Sequence, residues 1–475
     1  MNIIILGAGQ VGASVAESLA SEANDITLVD TDRIRLAYLQ DRLDIRTVVG
    51  NAAYPSVLRA AGAADADVLI AATQSDQTNL VACKVAYSIF NLPTRIARLR
   101  SADFLEDESL LLPENFAVDD AICPEQNITD YITKLIAFPE ALQVLEFANG
   151  RVSLVAVRAR EGGPLVSQPI RELALHLPNI DFRIAAIFRN ETPITPDGQT
   201  VIQPGDEVFF LAASEHIRFA LHELRKMDRA VERVLIAGGG NIGMRLARAL
   251  EDKYQVKVVE AFRERAELIA PQLKNALVMI GDATDEDLLE QENISEMDIF
   301  LALTNDDEDN IMAATLAKRL GCRRSVALIN RRAYAEMVQG GPIDIAVSPA
   351  QIAISSMLAR FRRGDVAQVH TLRRGAAEAL EIVAHGDRKT SRVVGRRLEE
   401  IDLPAGVTIA AVVRRLDEVE TVGHRGIFSD KLMGHVEIAH HDTVIEEGDH
   451  VIVFCTSKKL VAKVERLFQV GFGFL

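Results

Sequence analysis

The chain has 475 residues, with 68 acidic against 52 basic ones and a formal charge of −16. So acidic a surface disfavours nucleic acid and direct adsorption on anionic lipid, so any membrane association would run through a protein partner rather than direct insertion. No apolar run approaches the roughly 18 residues of a spanning helix, the N-terminus enters an apolar stretch at once and leaves no room for a signal peptide, and four scattered cysteines (Cys83, Cys123, Cys322, Cys455) have no pairing or metal spacing and read as reduced, mostly buried thiols of a cytoplasmic protein.

Ile3-Ile4-Ile5-Leu6 is a buried strand, and Gly7-Ala8-Gly9-Gln10-Val11-Gly12 follows as a glycine turn that opens a helix. Gly7, Gly9 and Gly12 fit G-x-G-x-x-G. The first permits the tight turn, the second lets a pyrophosphate approach the backbone, and the third lets helix and strand pack closely. The helix over 13–19 aims free N–H groups at that phosphate. The next strand, 26–29, ends at Asp30, whose carboxylate is placed for the hydroxyls of an adenosine ribose and would repel a 2′-phosphate; NAD or an adenine nucleotide is expected over NADP. A helix over 33–42, a strand over 46–49 ending at Gly50-Asn51, a helix over 55–61, a buried strand over 68–72, a polar turn over 73–78, a long helix over 79–90 and a strand over 95–100 complete an α/β, doubly wound parallel sheet. Its strand ends bring Gly7 to Gly12, Asp30, Asn51 and Thr73 to one edge.

Pro124 and Pro139 bracket a helical connector over 128–136. A smaller α+β block follows, with strands over 153–157, 182–188 and 208–211, a strand over 200–203 running into the turn Pro204-Gly205-Asp206, and a closing helix over 214–224. Residues 225–232 read as a linker.

The whole order then returns. Val234 to Ala237 and Gly238-Gly239-Gly240-Asn241-Ile242-Gly243 repeat the first turn 231 residues on, and Glu260 stands for Asp30, Gly281-Asp282-Ala283 for Gly50-Asn51-Ala52, and Asn310 for Asn79. The turn Glu447-Gly448-Asp449 answers Pro204-Gly205-Asp206. The expected organisation is two Rossmann-like nucleotide-binding modules, 1–137 and 233–361, each followed by a small α+β domain, 138–226 and 366–475. The second copy carries an insertion over about 417–437.

A dehydrogenase needs an acid or base beside the nicotinamide. Residues 1–150 contain no histidine and only two lysines, Lys84 and Lys134; Lys84 reads as a surface charge, and His176, His216 and His222 lie outside any polar cluster. The ligand therefore looks like a signal rather than a reactant, with catalytic residues and metal absent. A dehydrogenase with two fused nucleotide domains and a free-standing redox sensor are the alternatives. Thr304 to Asn310 is either a cation site or a helix N-cap with acids in its first turn. His435, His440, His441 and Asp442 suggest zinc but have no ligand spacing, and a solvated loop is the plainer reading. Arg98 and Arg100 could bind phosphate, bridge to a neighbour or remain surface charges. Ile329 replaces Arg98 in the second copy, so the two sites are not equivalent.

The order of blocks, with Met1 to Gly12, Gly238 to Gly243, Thr304-Asn305-Asp306-Asp307-Glu308 and Ser391-Arg392-Val393-Val394-Gly395-Arg396 as its most specific segments, resembles the RCK (KTN plus TrkA-C) regulatory domains that gate potassium channels and transporters, in their tandem form. The resemblance implies a non-enzymatic subunit, peripheral on the inner face of the cell membrane through a TrkH-type potassium-translocating partner. It also implies assembly as a homodimer or homotetramer. NAD(H) and adenine nucleotides would be the ligands; because ATP or ADP and NADH share an adenosine that Asp30 would hold, they are expected to compete. The first site would comprise Gly7, Ala8, Gly9, Gln10, Val11, Asp30, Thr73, Gln74 and Arg98, and the second Gly238, Gly239, Gly240, Asn241, Ile242 and Glu260.

Overall fold

The structure, a computed structural model, describes residues 1–20, 24–178, 180, 182–190, 192–194, 196–224, 229–338, 341–358, 366–372, 377–414 and 435–470. Four sheets follow one another along the chain. The first is parallel and six-stranded, built from β1 (Asn2–Leu6), β2 (Asp25–Asp30), β3 (Arg46–Val49), β4 (Val68–Ala71), β5 (Thr94–Arg98) and β6 (Asp120–Ile122) in the order β3-β2-β1-β4-β5-β6. This order places a crevice where the winding reverses, between β1 and β4. Both strands are wholly apolar and buried from Ile3 and Val68 onward, because helices cover each face. The helices are α1 (Gln10–Ala20), α2 (Arg33–Gln40), α3 (Pro55–Ala60), α4 (Asp76–Phe90) and α5 (Pro124–Ala137). The connector helix starts at Pro124 itself, since proline at the first helical position sacrifices no bond. The strand expected over 95–100 stops at Arg98, where pairing with β6 ends.

An antiparallel sheet follows: β7 (Ala141–Phe147), β8 (Val152–Arg158), β9 (Phe182–Arg189), β10 (Thr192–Ile194) and β11 (Glu207–Ala213), ordered β10-β9-β11-β8-β7, with α6 (Leu173–His176) and α7 (Ile217–Leu224). The strand expected over 200–203 is reduced to one bridge, Val201 to Pro169. Its neighbours instead close the loop on Asp206, whose carboxylate accepts from the Gln203 N–H and the Arg189 guanidinium at 2.8 Å.

The second copy repeats both sheets. Its parallel sheet holds β12 (Arg233–Ala237), β13 (Gln255–Glu260), β14 (Leu277–Ile280), β15 (Ile299–Ala302), β16 (Ser325–Leu328) and β17 (Ile345–Val347) in the same order, β14-β13-β12-β15-β16-β17. Its helices are α8 (Asn241–Leu250), α9 (Arg263–Ile269), α10 (Glu286–Gln291), α11 (Asp307–Arg319), α12 (Arg332–Val338) and α13 (Pro349–Leu358). The last sheet is β18 (Val366–Leu372), β19 (Ala377–Val383), β20 (Val407–Arg414), β21 (His435–Ile438) and β22 (His450–Cys455), with α14 (Val461–Phe468). Most of the 417–437 insertion lies outside the described residues.

These sheets condense into two compact units, each drawing on both copies. Residues 1–133 and 232–357 form one, and 134–231 and 358–475 form the other. In the first unit Arg245 of α8 donates to the Arg100 carbonyl at 2.7 Å and to Gln126 at 3.2 Å, tying the two parallel-sheet modules together. In the second unit Phe209 meets Phe454 at 5.7 Å between ring centroids, Arg183 donates to the Ala439 carbonyl, and Glu381 accepts from the Ala148 N–H at 2.8 Å. His176 is not outside a polar cluster as expected, for its Nδ1 lies 2.7 Å from Glu223, a partner 47 residues away that spacing does not reveal.

Candidate functional site

The first glycine turn leaves β1 with Gly7 at φ +100°, a conformation that favours glycine, and its N–H donates to the Val29 carbonyl at 2.7 Å. A Cβ on Gly12 would stand 1.9 Å from the Gly7 carbonyl oxygen, so the third glycine is required by packing of helix on turn. A Cβ on Gly9 would meet nothing within 4 Å. That open face is where a phosphate can approach. Val11 and Gly12 lie on the buried face of α1, while Gln10 is exposed at its first turn.

Asp30 reaches back across this turn. One carboxylate oxygen accepts the Ala8 N–H at 2.5 Å and the other the Asp32 N–H at 2.8 Å. The acid thus braces the glycine turn, and its half-buried carboxylate stays at the rim of the crevice. Thr73 is fixed from below by Asn79, whose side-chain oxygen accepts the Thr73 N–H at 3.0 Å and hydroxyl at 2.7 Å, and whose amide donates to the carbonyls of Thr73 and Arg98. Asn79 is fully buried, so this bracket sets the spacing of the β4 and β5 ends. Gln74 is exposed beside it, and Asn51 caps its own turn by accepting the Ala53 N–H at 2.9 Å.

Arg98 and Arg100 converge on Glu125, at 2.9 and 3.1 Å from the same oxygen. Arg98 is therefore a held cation rather than a loose surface charge. Its Nε is buried with no acceptor, a donor that a bound group could satisfy. Asp76 at the start of α4 accepts the backbone N–H groups of Arg100 and Ser101, each at 2.9 Å, and locks the loop that carries this cluster. Lys84 donates to the carbonyls of Pro113 and Glu114 at 2.7 and 3.2 Å, a tether rather than a solvated charge.

The second module repeats the frame and changes the furniture. Gly238 has φ +104°, and a Cβ on Gly243 would again lie 1.9 Å from the carbonyl of the first glycine. Gly240 is open, as Gly9 is. Glu260 accepts the Gly239 N–H at 2.8 Å and the Phe262 N–H at 3.0 Å, but it is only 5% exposed, one methylene longer and more deeply set than Asp30. At Gly239 a Cβ would meet Ile269 at 2.5 Å, which explains why Ala8 has no alanine counterpart here. Asn310 repeats the Asn79 bracket on Thr304 and the Leu328 carbonyl. Ile329 is fully buried, so no cation sits where Arg98 does, and Arg331 turns to Glu308 at 2.7 Å. Asn241 and Ile242 open α8 as Gln10 and Val11 open α1.

Thr304 to Asn310 is an N-cap. Asp306 accepts the Asp309 N–H at 3.0 Å, and Asp307 accepts the N–H groups of Asn330 and Arg331 at 2.8 Å. Among the described residues no three His, Cys, Asp or Glu side chains gather as a metal site, around His435, His440 and His441 or elsewhere. Sequence reading noted that Asn79 recurs as Asn310 but not that each is the bracket of its site. It missed Asp76 and Glu125, whose partners lie 24 to 27 residues away.

Glycine-turn modules on parallel sheets, each followed by an antiparallel block, define the tandem TrkA-N/TrkA-C class. The family model of the TrkA-N domain matches residues 3–124 and 234–349, and that of the TrkA-C domain residues 154–224 and 388–469. The chain belongs to the family of the Trk system potassium uptake protein TrkA. It is 53% identical over 474 residues to the member so named in Halomonas elongata and 51% identical over 476 residues to that in Vibrio alginolyticus, covering 100% of both chains in each case. It is 30% identical over 477 residues to a homologue in Methanosarcina mazei, covering 99% of this chain and 100% of that one. Among solved structures, the GsuK RCK domain aligns over 98% of this chain and 94% of its own with a TM-score of 0.60 at 18% identity. The GsuK channel bound to NAD aligns over 98% and 79% with a TM-score of 0.59, also at 18% identity. These two share the fold. No helix among the described residues is long and apolar enough to cross a membrane.

Proposed function

We propose that this chain is a regulatory subunit of a potassium uptake system, binding NAD(H) or an adenine nucleotide and setting the open or closed state of a TrkH-type membrane subunit. The first module (1–137) is the principal site. Gly7 to Gly12 receive the pyrophosphate, Asp30 holds the adenosine ribose, Thr73 and Gln74 line the crevice, and Arg98 supplies positive charge. The second module (233–361) offers the weaker site through Gly238 to Ile242 and Glu260. ATP and ADP share the adenosine with NADH and compete for it. The chain assembles as a homodimer or homotetramer, in which small shifts add at one pore. The chain acts at the inner face of the membrane through that partner, and it regulates rather than catalyses.

The observation that carries this reading is the open face of Gly9 beside a braced Asp30, in a chain of a potassium uptake family. Gating requires unequal affinity of the ligand for the two states, typically by about 1–3 kcal/mol. The test is rubidium uptake in cells lacking their own potassium uptake, carrying a TrkH-type subunit alone, with this protein, or with Asp30→Ala. Uptake that needs the protein and changes with Asp30→Ala supports the reading. Equal uptake in all three arms refutes it. Unchanged NADH affinity under saturating ATP refutes the competition alone.

A further inference from the structure

Ser391 to Arg396 is singled out by the sequence yet has no part in either glycine-turn site. Three of its residues, Ser391, Arg392 and Arg396, line a recess of about 350 Å³ in the last antiparallel block, together with Lys389, Thr390, Arg466, Gln469 and Val470. Four cations face this recess and no acid does, in a chain whose formal charge is −16. Their neighbours behave differently. Arg388 lies 3.8 Å from Glu400, and Arg397 lies 3.7 Å from Glu399. Arg392, Arg396 and Arg466 have no ion-pair partner among the described residues, and Lys389 has only the neighbouring carboxylate of Asp387, whose pKa it helps to lower. Like charges gathered without counter-charge repel one another, and an anion between them removes that cost.

The loop is held in shape independently of any ligand. Ser391 is 3% exposed, and its hydroxyl accepts the N–H groups of Val393 and Val394 at 3.2 and 3.1 Å. Asp387, the nearest acid in sequence, is turned into its own loop by the N–H groups of Lys389 and Thr390 and the Thr390 hydroxyl, at 2.8 to 3.0 Å. Gly395 at φ +72° then places Arg396. The first copy keeps this turn, with Ser167 at φ +70° and the same backbone bond to the following segment, but Gln168 stands in place of Arg396. Its loop, 160–166, is shorter and carries one base and one acid, so the cations belong to the second copy alone.

We infer that this recess binds a phosphorylated anion, at a site separate from both glycine turns. Three guanidinium forks and an ammonium suit phosphate oxygens, which take paired N–H donors, better than a single carboxylate. A recess of this volume accommodates a diphosphate or a phosphorylated head group. The anion is either a soluble phosphate compound or the head group of an anionic lipid, and the test separates them.

Inorganic pyrophosphate is titrated calorimetrically into the full chain at physiological ionic strength, and flotation is measured with phosphatidylglycerol and phosphatidylcholine vesicles. The double variant Arg392→Gln, Arg396→Gln is compared with Arg397→Gln, which alters an exposed neighbour outside the recess. The expected result is saturable binding of at least one probe, weakened about tenfold or more by the double variant and unchanged by Arg397→Gln, with melting temperatures alike. Flotation on phosphatidylglycerol alone assigns the anion to lipid, and pyrophosphate binding without flotation assigns it to a soluble compound. Absence of saturable binding by either probe, or equal weakening by Arg397→Gln, overturns the inference. Pyrophosphate held at the glycine turns is bound equally by the double variant, so only the binding that the double variant loses reports on the recess, and failure of the nucleotide reading leaves that difference intact.

Discussion

The two parallel-sheet modules share their backbone almost bond for bond and differ in the side chains that face the crevice. Both have a first glycine in the left-handed region, a third glycine 1.9 Å from a would-be clash, and a buried asparagine bracket. They differ where Arg98 and Glu125 become Ile329 and Ala350, and where half-buried Asp30 becomes buried Glu260. The two copies therefore keep the positions that the fold requires, and they diverge at positions proposed to meet a ligand. The shared positions should respond alike to substitution in both copies, and the divergent ones should not.

The largest effect is expected at the glycines. Gly12→Ala and Gly243→Ala each put a Cβ against a backbone carbonyl and should destabilise their modules by about 3 kcal/mol or more, read as a lowered thermal transition. Gly9→Ala, with open space before it, should melt normally and weaken NADH binding instead. Asn79→Ala and Asn310→Ala should each cost about 2–4 kcal/mol, because each strands buried partners on two strand ends; a marked inequality would break the equivalence of the frames. Asp30→Ala should reduce NADH affinity about tenfold to a hundredfold in calorimetry, from the loss of charge-assisted bonds. Glu260→Ala should instead lower stability by about 1–3 kcal/mol, because two N–H groups lose their acceptor. Arg98→Ile, which copies the second module into the first, should weaken NADH by about threefold to tenfold and also lower the thermal transition, since buried Glu125 then keeps only Arg100 as its partner. Smallest of all is the thiol prediction. Burial pushes Cys83 up to about 12 and Cys322 up to about 11. At pH 8 their thiolate fractions are then about one in ten thousand and one in a thousand, so Ellman's reagent should label them slowly in the native chain of either copy and fast after denaturation.

Much of the frame was legible because its signals are local. Strands of four apolar residues, glycines at fixed spacing and an acid at the end of the second strand are all contained within about thirty residues, and the repeat doubled each signal. The Thr200 to Gln203 strand failed because an apolar pair beside a turn looks extended, whether or not a neighbouring strand exists to bond it. Strand β7 was missed because Gln143 and Glu146 interrupt its apolar pattern. At the site, Glu125 escaped because its two arginines lie on another element, and no spacing rule links them. Asn79 was noticed as a recurrence, yet its role depends on carbonyls of two different strands.

The two copies are consecutive in the chain, but the compact units are not: each takes a segment from either half. The bond from Arg183 to the Ala439 carbonyl spans 256 residues. At about 5–20 residues per second of synthesis, that wait is on the order of 13–50 s. During it, Phe209 has no Phe454 to cover it. The nascent first half therefore carries an apolar sheet face long before its counterpart exists. Assembly of this molecule is timed by the ribosome, and a chaperone or a sister chain has a window in which to meet that face.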